Sequence, residues 1–166
     1  MAKKPGSNRL ANFKHLKEYK NKVLQKLIEN ENIAKAVGNN SANFLSVEID
    51  DPYDLLYNNI YPYTHVPETN EEEKTFITIS FRDFRYVNRK FVAGRIKFNV
   101  FTHLKGLMRT NEGLRTDFII SEICEMFNES NEFGIGKLQF DIMDEYYVDT
   151  KFSGHYIQFI NVDFNS

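Results

Sequence analysis

The spacing of apolar residues changes period along the chain, and each change marks an element. From residue 10 the period is helical. Phe13, Leu16, Val23, Leu24, Leu27 and Ile28 share one stripe, while Lys14, Lys17, Lys20, Lys22 and Lys26 lie mostly off it. A long N-terminal helix follows, pausing near Asn30-Glu31-Asn32, with a short further turn over residues 33–37 and a stop at Gly38-Asn39-Asn40. The stretch LRTDFIISEICEMFN, residues 114–128, repeats the signal. Ile119, Ile120, Ile123, Met126 and Phe127 fall on one face, and Ser121, Glu122 and Glu125 on the other. Asp117 stands near its start, where a carboxylate suits the positive end of the helix dipole. Strand patterns flank this helix on both sides, so it is expected to cover their shared sheet.

In those strands the period falls to two. In KTFITISFRDFRYV, Ile77, Ile79 and Phe81 point one way, and Thr78, Ser80 and Arg82 the other. After a turn at residues 88–90, GRIKFNVFTH sets Ile96, Phe98 and Val100 against Arg95, Lys97 and Asn99. The short spacing predicts an antiparallel hairpin. Beyond the helix, FGIGKLQFDIM places Leu138, Phe140 and Ile142 on one strand face. The last strand, residues 155–164, alternates imperfectly: Ile157 and Phe159 share one phase, Ile160, Val162 and Phe164 the other. That pattern needs either a bulge near Phe159-Ile160 or cover on both faces.

Residues 41–73 carry no clean period. Phe44, Leu45, Val47 and Ile49 fit a short strand or a core-filling loop, and Asp50-Asp51-Pro52 is a turn signal. The Tyr-rich segment that follows reads as an ordered connection pinned by Leu55, Leu56, Ile60 and Tyr61, ahead of an exposed acidic run at Glu71, Glu72 and Glu73. The resulting order is helix, strand, strand, helix, strand, strand. This is an α+β domain with helices packed on an antiparallel sheet, spanning residues 10–166 after a flexible basic tail at residues 1–9.

Composition adds constraints. A chain of 166 residues with 42% hydrophobic and 27% charged residues fits one domain with a sizeable core. No apolar run approaches the roughly 20 residues of a membrane helix, and MAKKPGSNRLANF lacks the apolar core of a secretory signal. A lone cysteine, Cys124, has no partner for an internal disulfide, which fits synthesis in a reducing, intracellular compartment. Residues 1–26 hold eight Lys and Arg against one Glu, whereas the remainder holds 13 basic and 22 acidic side chains. Such an arm fits a solvated helix face most simply, or contact with nucleic acid or an acidic neighbour.

Catalytic and cofactor chemistry is not indicated. FGIGKL places its glycines after a helix and before a strand, the reverse of a phosphate-binding loop, so Gly134 and Gly136 read as helix-stop and turn residues. His15, His65, His103 and His155 are scattered without metal-ligand spacing, and Cys124 reads as a small buried hydrophobe. Glu122, Glu125, Asp141 and Asp144 lack a His or Lys placed to tune them. The expectation is a non-enzyme with no cofactor and no metal.

The positive residues Arg82, Arg85, Arg89, Lys90, Arg95 and Lys97 gather around the hairpin, with Asp83 as the only acid among them. With Phe84, Tyr86 and Phe91 interleaved, the hairpin could stack on exposed bases or form a protein contact. The net charge of −2 favours the protein contact, with a small nucleic-acid-binding protein as the alternative.

Four stretches together, NNIYPYTHVPETNEEEKTFITISF, NVFTH, LRTDFIISEICEMFN and FGIGKL, carry a resemblance. With the YPY-x-x-x-PET stretch and the RTD…GIGKL pairing, roughly residues 20–164 resemble small virion proteins of tailed phages, those of the neck and tail-terminator kind. The resemblance implies a helix-on-sheet α+β unit without catalytic residues. It also implies a ring, commonly of six copies, that ends the tail tube and meets the head-completion proteins. Such a protein is made in the host cytoplasm and built into the virion, with DNA passing through the lumen and no membrane involved. The long basic N-terminal helix has no counterpart in that resemblance.

The helical phase alone makes a prediction. Ile123→Ala should cost about 2–5 kcal/mol in chemical denaturation, as for a buried large-to-small change. A loss below about 0.5 kcal/mol would place Ile123 at the surface and overturn the phase.

Overall fold

The computed structural model describes residues 15–68, 73–87, 91–134 and 136–162. The basic tail at residues 1–9 and the expected first turns at residues 10–14 lie outside them. The N-terminal helical signal resolves into α1, Leu16–Glu29, and α2, Glu31–Gly38. The break is a built one: Asn30 adopts an extended conformation, and its side chain accepts a hydrogen bond from the Ile33 N–H at 2.9 Å, capping α2. The second helix is therefore a full element, longer than the expected turn. Residues 44–46 form a 3-10 turn that drives Phe44 wholly into the core, so this stretch is a core-filling loop and not a strand. A second such turn, Pro52–Leu55, is capped by the Asp51 side chain.

Short strand β1, Ile60–Tyr61, precedes the hairpin of β2, Thr75–Val87, and β3, Phe91–His103. Two two-residue strands, β4 (Arg109–Thr110) and β5 (Gly113–Leu114), form a small ribbon ahead of α3, Arg115–Phe127. A second hairpin, β6 (Lys137–Tyr147) and β7 (Phe152–Val162), completes the chain. The main sheet runs β1-β2-β3-β7-β6. All its long neighbours are antiparallel, but β1 joins β2 in parallel, so the sheet is mixed and not purely antiparallel as expected.

One sheet face packs against the helices. Ile77, Ile79, Ile96, Phe98, Val100, Ile157 and Phe159 are buried there with Leu27, Ile28, Ile33, Ile119, Ile123 and Phe127. The central helix thus has the expected phase. The opposite face is covered at one end by Tyr61, Phe76, Phe101 and Phe152, with His65 stacked on Tyr61 at 4.0 Å. Gly154, opposite Phe101, leaves room for close approach of the two strands, because a Cβ there would lie 2.7 Å from the Phe101 Cα and closer still to the Val100 carbonyl oxygen.

Two further expectations change. The irregularity beside Phe159 lies on the partner strand β6, between Phe140 and Ile142, while β7 itself pairs with β3 without interruption and sets Phe159 towards the helices and Ile160 on the outer side. Phe140 and Ile142 therefore face opposite sides of the sheet, and both are exposed. The end of α3 falls at Asn128 and the left-handed Glu129 (φ 62°), as the polar run at residues 128–131 indicates, and Gly134 and Gly136 follow in the turn before β6.

The largest surprise in the core is Arg115, at the first position of α3 and fully buried. Its Nε donates to the Leu107 carbonyl at 2.8 Å. Nη1 donates to those of Ala36 (2.6 Å) and Asn39 (3.0 Å), and Nη2 to Ser41 (2.8 Å). The guanidinium also lies 5.0 Å from the Phe44 ring centre. Ala36 and Asn39 stand at the C-terminal end of α2, where carbonyls lack helical partners and the dipole is negative. Burial lowers the Arg115 pKa to about 10, so the group stays charged at neutral pH.

Arg115→Met should cost about 3–5 kcal/mol, since it strands two buried and two part-buried carbonyl acceptors and leaves their negative ends uncompensated. Arg115→Lys should recover less than half, because an ammonium cannot match the planar fork. Urea denaturation of both variants measures this; a loss under about 1 kcal/mol for Arg115→Met would mean that water replaces the guanidinium.

Candidate functional site

The sheet face away from the helices carries the charged groups singled out in the sequence. On β3, Arg95 and Lys97 alternate with the core residues Ile96 and Phe98, which fixes them on the outer face. On β2, Arg82 pairs with Arg95, and Arg85 pairs with Ala93. Residues three apart in a regular strand project to opposite faces. Here the register shift between Arg82 and Arg85 returns both to the outer face. The inserted residues explain how. Asp83 takes a left-handed conformation (φ 55°), and Phe84 turns to the helix side over Gly94, where a Cβ would meet its ring at 2.5 Å.

Four of the six expected contact residues are thereby brought together: Arg82, Arg85, Arg95 and Lys97. Arg89 and Lys90 lie outside the described residues. Arg82 and Arg85 are exposed, and Arg95 is half exposed, with its Nη1 3.3 Å from Asp83 Oδ2. Lys97 is differently held. Its ammonium sits 4.1 Å above the Tyr156 ring and 5.9 Å from that of Tyr146. Burial, and secondarily the positive charge of Arg82, lower its pKa. Phe84, read beside the arginines as a possible base-stacking ring, instead packs on Phe81 at the edge of the core.

Across the same face the sign reverses. Gln158 on β7 pairs with Lys97 of β3 on one side and with Ile142 of β6 on the other. Its Nε2 donates to Asp141 Oδ2 at 2.7 Å. Asp144 pairs with Tyr156 and so shares the outer face. The face therefore runs from cationic at β2 and β3, through Tyr156 and Gln158, to anionic at β6. In the sequence Asp141 and Asp144 stand out only among four carboxylates without a tuning partner. The alternation of β6 with its bulge was the missing information.

Among the described residues no three His, Cys, Asp or Glu side chains come together as a metal site. The His155 Nδ1 lies 3.2 Å from Thr116 Oγ1 and 3.5 Å from Asp117 Oδ1, a contact that ties β7 to the start of α3. Cys124 is partly buried against the core, and burial raises its thiol pKa, which keeps it protonated at neutral pH. No described helix is long and apolar enough to cross a membrane.

No curated protein and no solved structure matches the chain. A protein-family model with the description YomW matches residues 30–161, from the cap of α2 to the end of β7. That span holds α2, α3, the entire sheet and both sides of the charged face. The chain belongs to the YomW family, which takes its name from a gene product of the Bacillus phage SPbeta region and marks it as phage-associated.

Proposed function

We propose that the chain is a virion structural protein of a tailed phage, a ring-forming tail terminator or neck component that joins the tail tube to the head-completion proteins. The carrying observation is the polarised outer face: cationic Arg82, Arg85 and Arg95 on one flank, Asp141 and Asp144 on the other. In a head-to-tail arrangement each subunit presents one sign to its neighbour's opposite, and a closed ring, commonly of six, results if the rotation per subunit closes. Membership of a phage-associated family and the helix-on-sheet fold support the reading. In this reading the protein is made in the host cytoplasm and resides in the virion.

A second reading, a small nucleic-acid-binding protein, draws on the same arginines. The flanking carboxylates Asp83, Asp141 and Asp144 weigh against it, because they repel a phosphate backbone. In the ring reading, the arginines could instead line a lumen and touch passing DNA.

Mass spectrometry of purified particles should find the chain in the virion, and its absence from complete particles overturns the structural role. Arg82→Glu combined with Arg85→Glu should abolish ring or particle assembly. Complete particles that fail only in retaining or delivering DNA would place the arginines at the lumen. Tight, salt-dependent DNA binding by the purified chain, without particle incorporation, would establish the second reading.

A further inference from the structure

Strand β6 is an edge strand of 11 residues with β7 as its sheet neighbour on one side and no described strand on the other. It carries an unusual load for an edge: Phe140 (47%), Ile142 (40%), Met143 (47%) and Tyr147 (72%) are all substantially exposed. A charge or a bulge on an edge strand guards against indiscriminate pairing, whereas large exposed apolar side chains favour pairing. β6 has both, which is the combination of a selective contact. At the opposite edge, β1 pairs only with Ile77 and Thr78 of β2. The rest of β2, including Arg82 and Arg85, has its outer edge open among the described strands.

We infer that β6 of one copy docks along the open part of β2 of a second copy, so that the sheet continues from subunit to subunit. The inference rests on the ring reading for its biological setting and names the surface that receives the arginines. Three observations select this occupant. First, the signs match: Asp141 and Asp144 on β6 meet Arg82 and Arg85 on β2, all on the outer face. Second, the directions match. Four long strands alternate in direction from β2 to β6, so a neighbour in the same orientation places its β2 antiparallel to β6. Third, pairing β6 with a second β6 about a two-fold axis would bring the outer-face Asp141 and Asp144 of one copy beside the same residues of the other, and like charges across a strand pair are destabilising.

Two folded variants test this without any phage particle. The first carries Asp141→Lys and Asp144→Lys, making both edges cationic; the second carries Arg82→Glu and Arg85→Glu, making both anionic. Sedimentation and native mass spectrometry should give concentration-dependent oligomers for the unaltered chain and at least about tenfold weaker association for each variant alone. An equimolar mixture should recover association as alternating copies, because each cationic edge then meets an anionic one. Circular dichroism confirms that both variants fold. A chain that stays monomeric at the highest reachable concentration overturns the inference, as does a mixture no stronger than its parts. Association retained by the second variant alone but lost in the first would assign β6 to a two-fold contact instead. Particle incorporation with no edge-dependent association would leave the virion role standing and remove only this contact.

Discussion

A fully buried cation ties the end of α2 to the start of α3. Arg115 donates to carbonyls from the end of α2, the loop after it and the loop before β4, and it does so from the first residue of α3. The stretch 36–41, more than 70 residues away in sequence, and Leu107 are thus fastened to one planar group. The location is electrostatically unusual, since a cation at a helix start opposes that helix's own dipole. The negative end of α2 offsets this, because its unsatisfied carbonyls need donors as much as the guanidinium needs acceptors. Burying the charge without its full set of acceptors would be costly, so the geometry of α2, α3 and the 104–108 turn is mutually fixed. The sheet receives these helices as one layer, with Phe44 wedged beside the guanidinium and Phe118 against Phe44 at 5.0 Å.

The outer face depends on a different constraint, the parity of strand residues. Two register shifts govern which side chains appear together. One brings Arg82 and Arg85 to the same side; the other takes Ile142 away from Phe140. Neither shift changes composition or hydrophobicity, yet together they set the charge pattern across the face and leave apolar side chains on both sides of β6. The aromatic cluster of Tyr61, Phe76, Phe101 and Phe152 fills the far end of the same face, so the charged end is the part available to a partner. Between them Thr78 and Asn99 are buried and bonded to each other at 3.0 Å, a polar band separating the two ends.

Much of this was legible from residue spacing. The phase of α3, the β2–β3 hairpin, the inward row of Ile96, Phe98 and Val100, and the outward position of Arg95 and Lys97 all follow from periodicity, because packing imposes it over many residues. What escaped was short or non-local. A two-residue parallel strand such as β1 leaves no period to read. β7 is regular, so its mixed phase records apolar residues on both faces, and the shift lies on β6, where Phe140 and Ile142 read as neighbours on one face of an unbroken strand. Arg115 did leave a trace: it stands four residues before Ile119 and eight before Ile123, on the apolar stripe itself. Its burial depends on carbonyls contributed from residues 36–41, which no local pattern reveals. For the candidate site, the cationic half was readable and the coplanarity of Arg82 with Arg85 was not.

The seam between β3 and β7 has a bearing on the order in which the molecule forms. Each hairpin, β2–β3 and β6–β7, joins neighbours in sequence, so its closure entropy is small. Joining the two hairpins requires closing a loop that contains β4, β5, all of α3 and β6, before any seam contact can compensate. The larger closure entropy therefore falls at the seam and not in either hairpin. Gly154 sits there, against Val100 and Phe101, with nothing on its Cα to hold the two halves apart. Its bareness is what lets the two halves close into one continuous sheet, so that no seam strand stands unpaired and open to other chains.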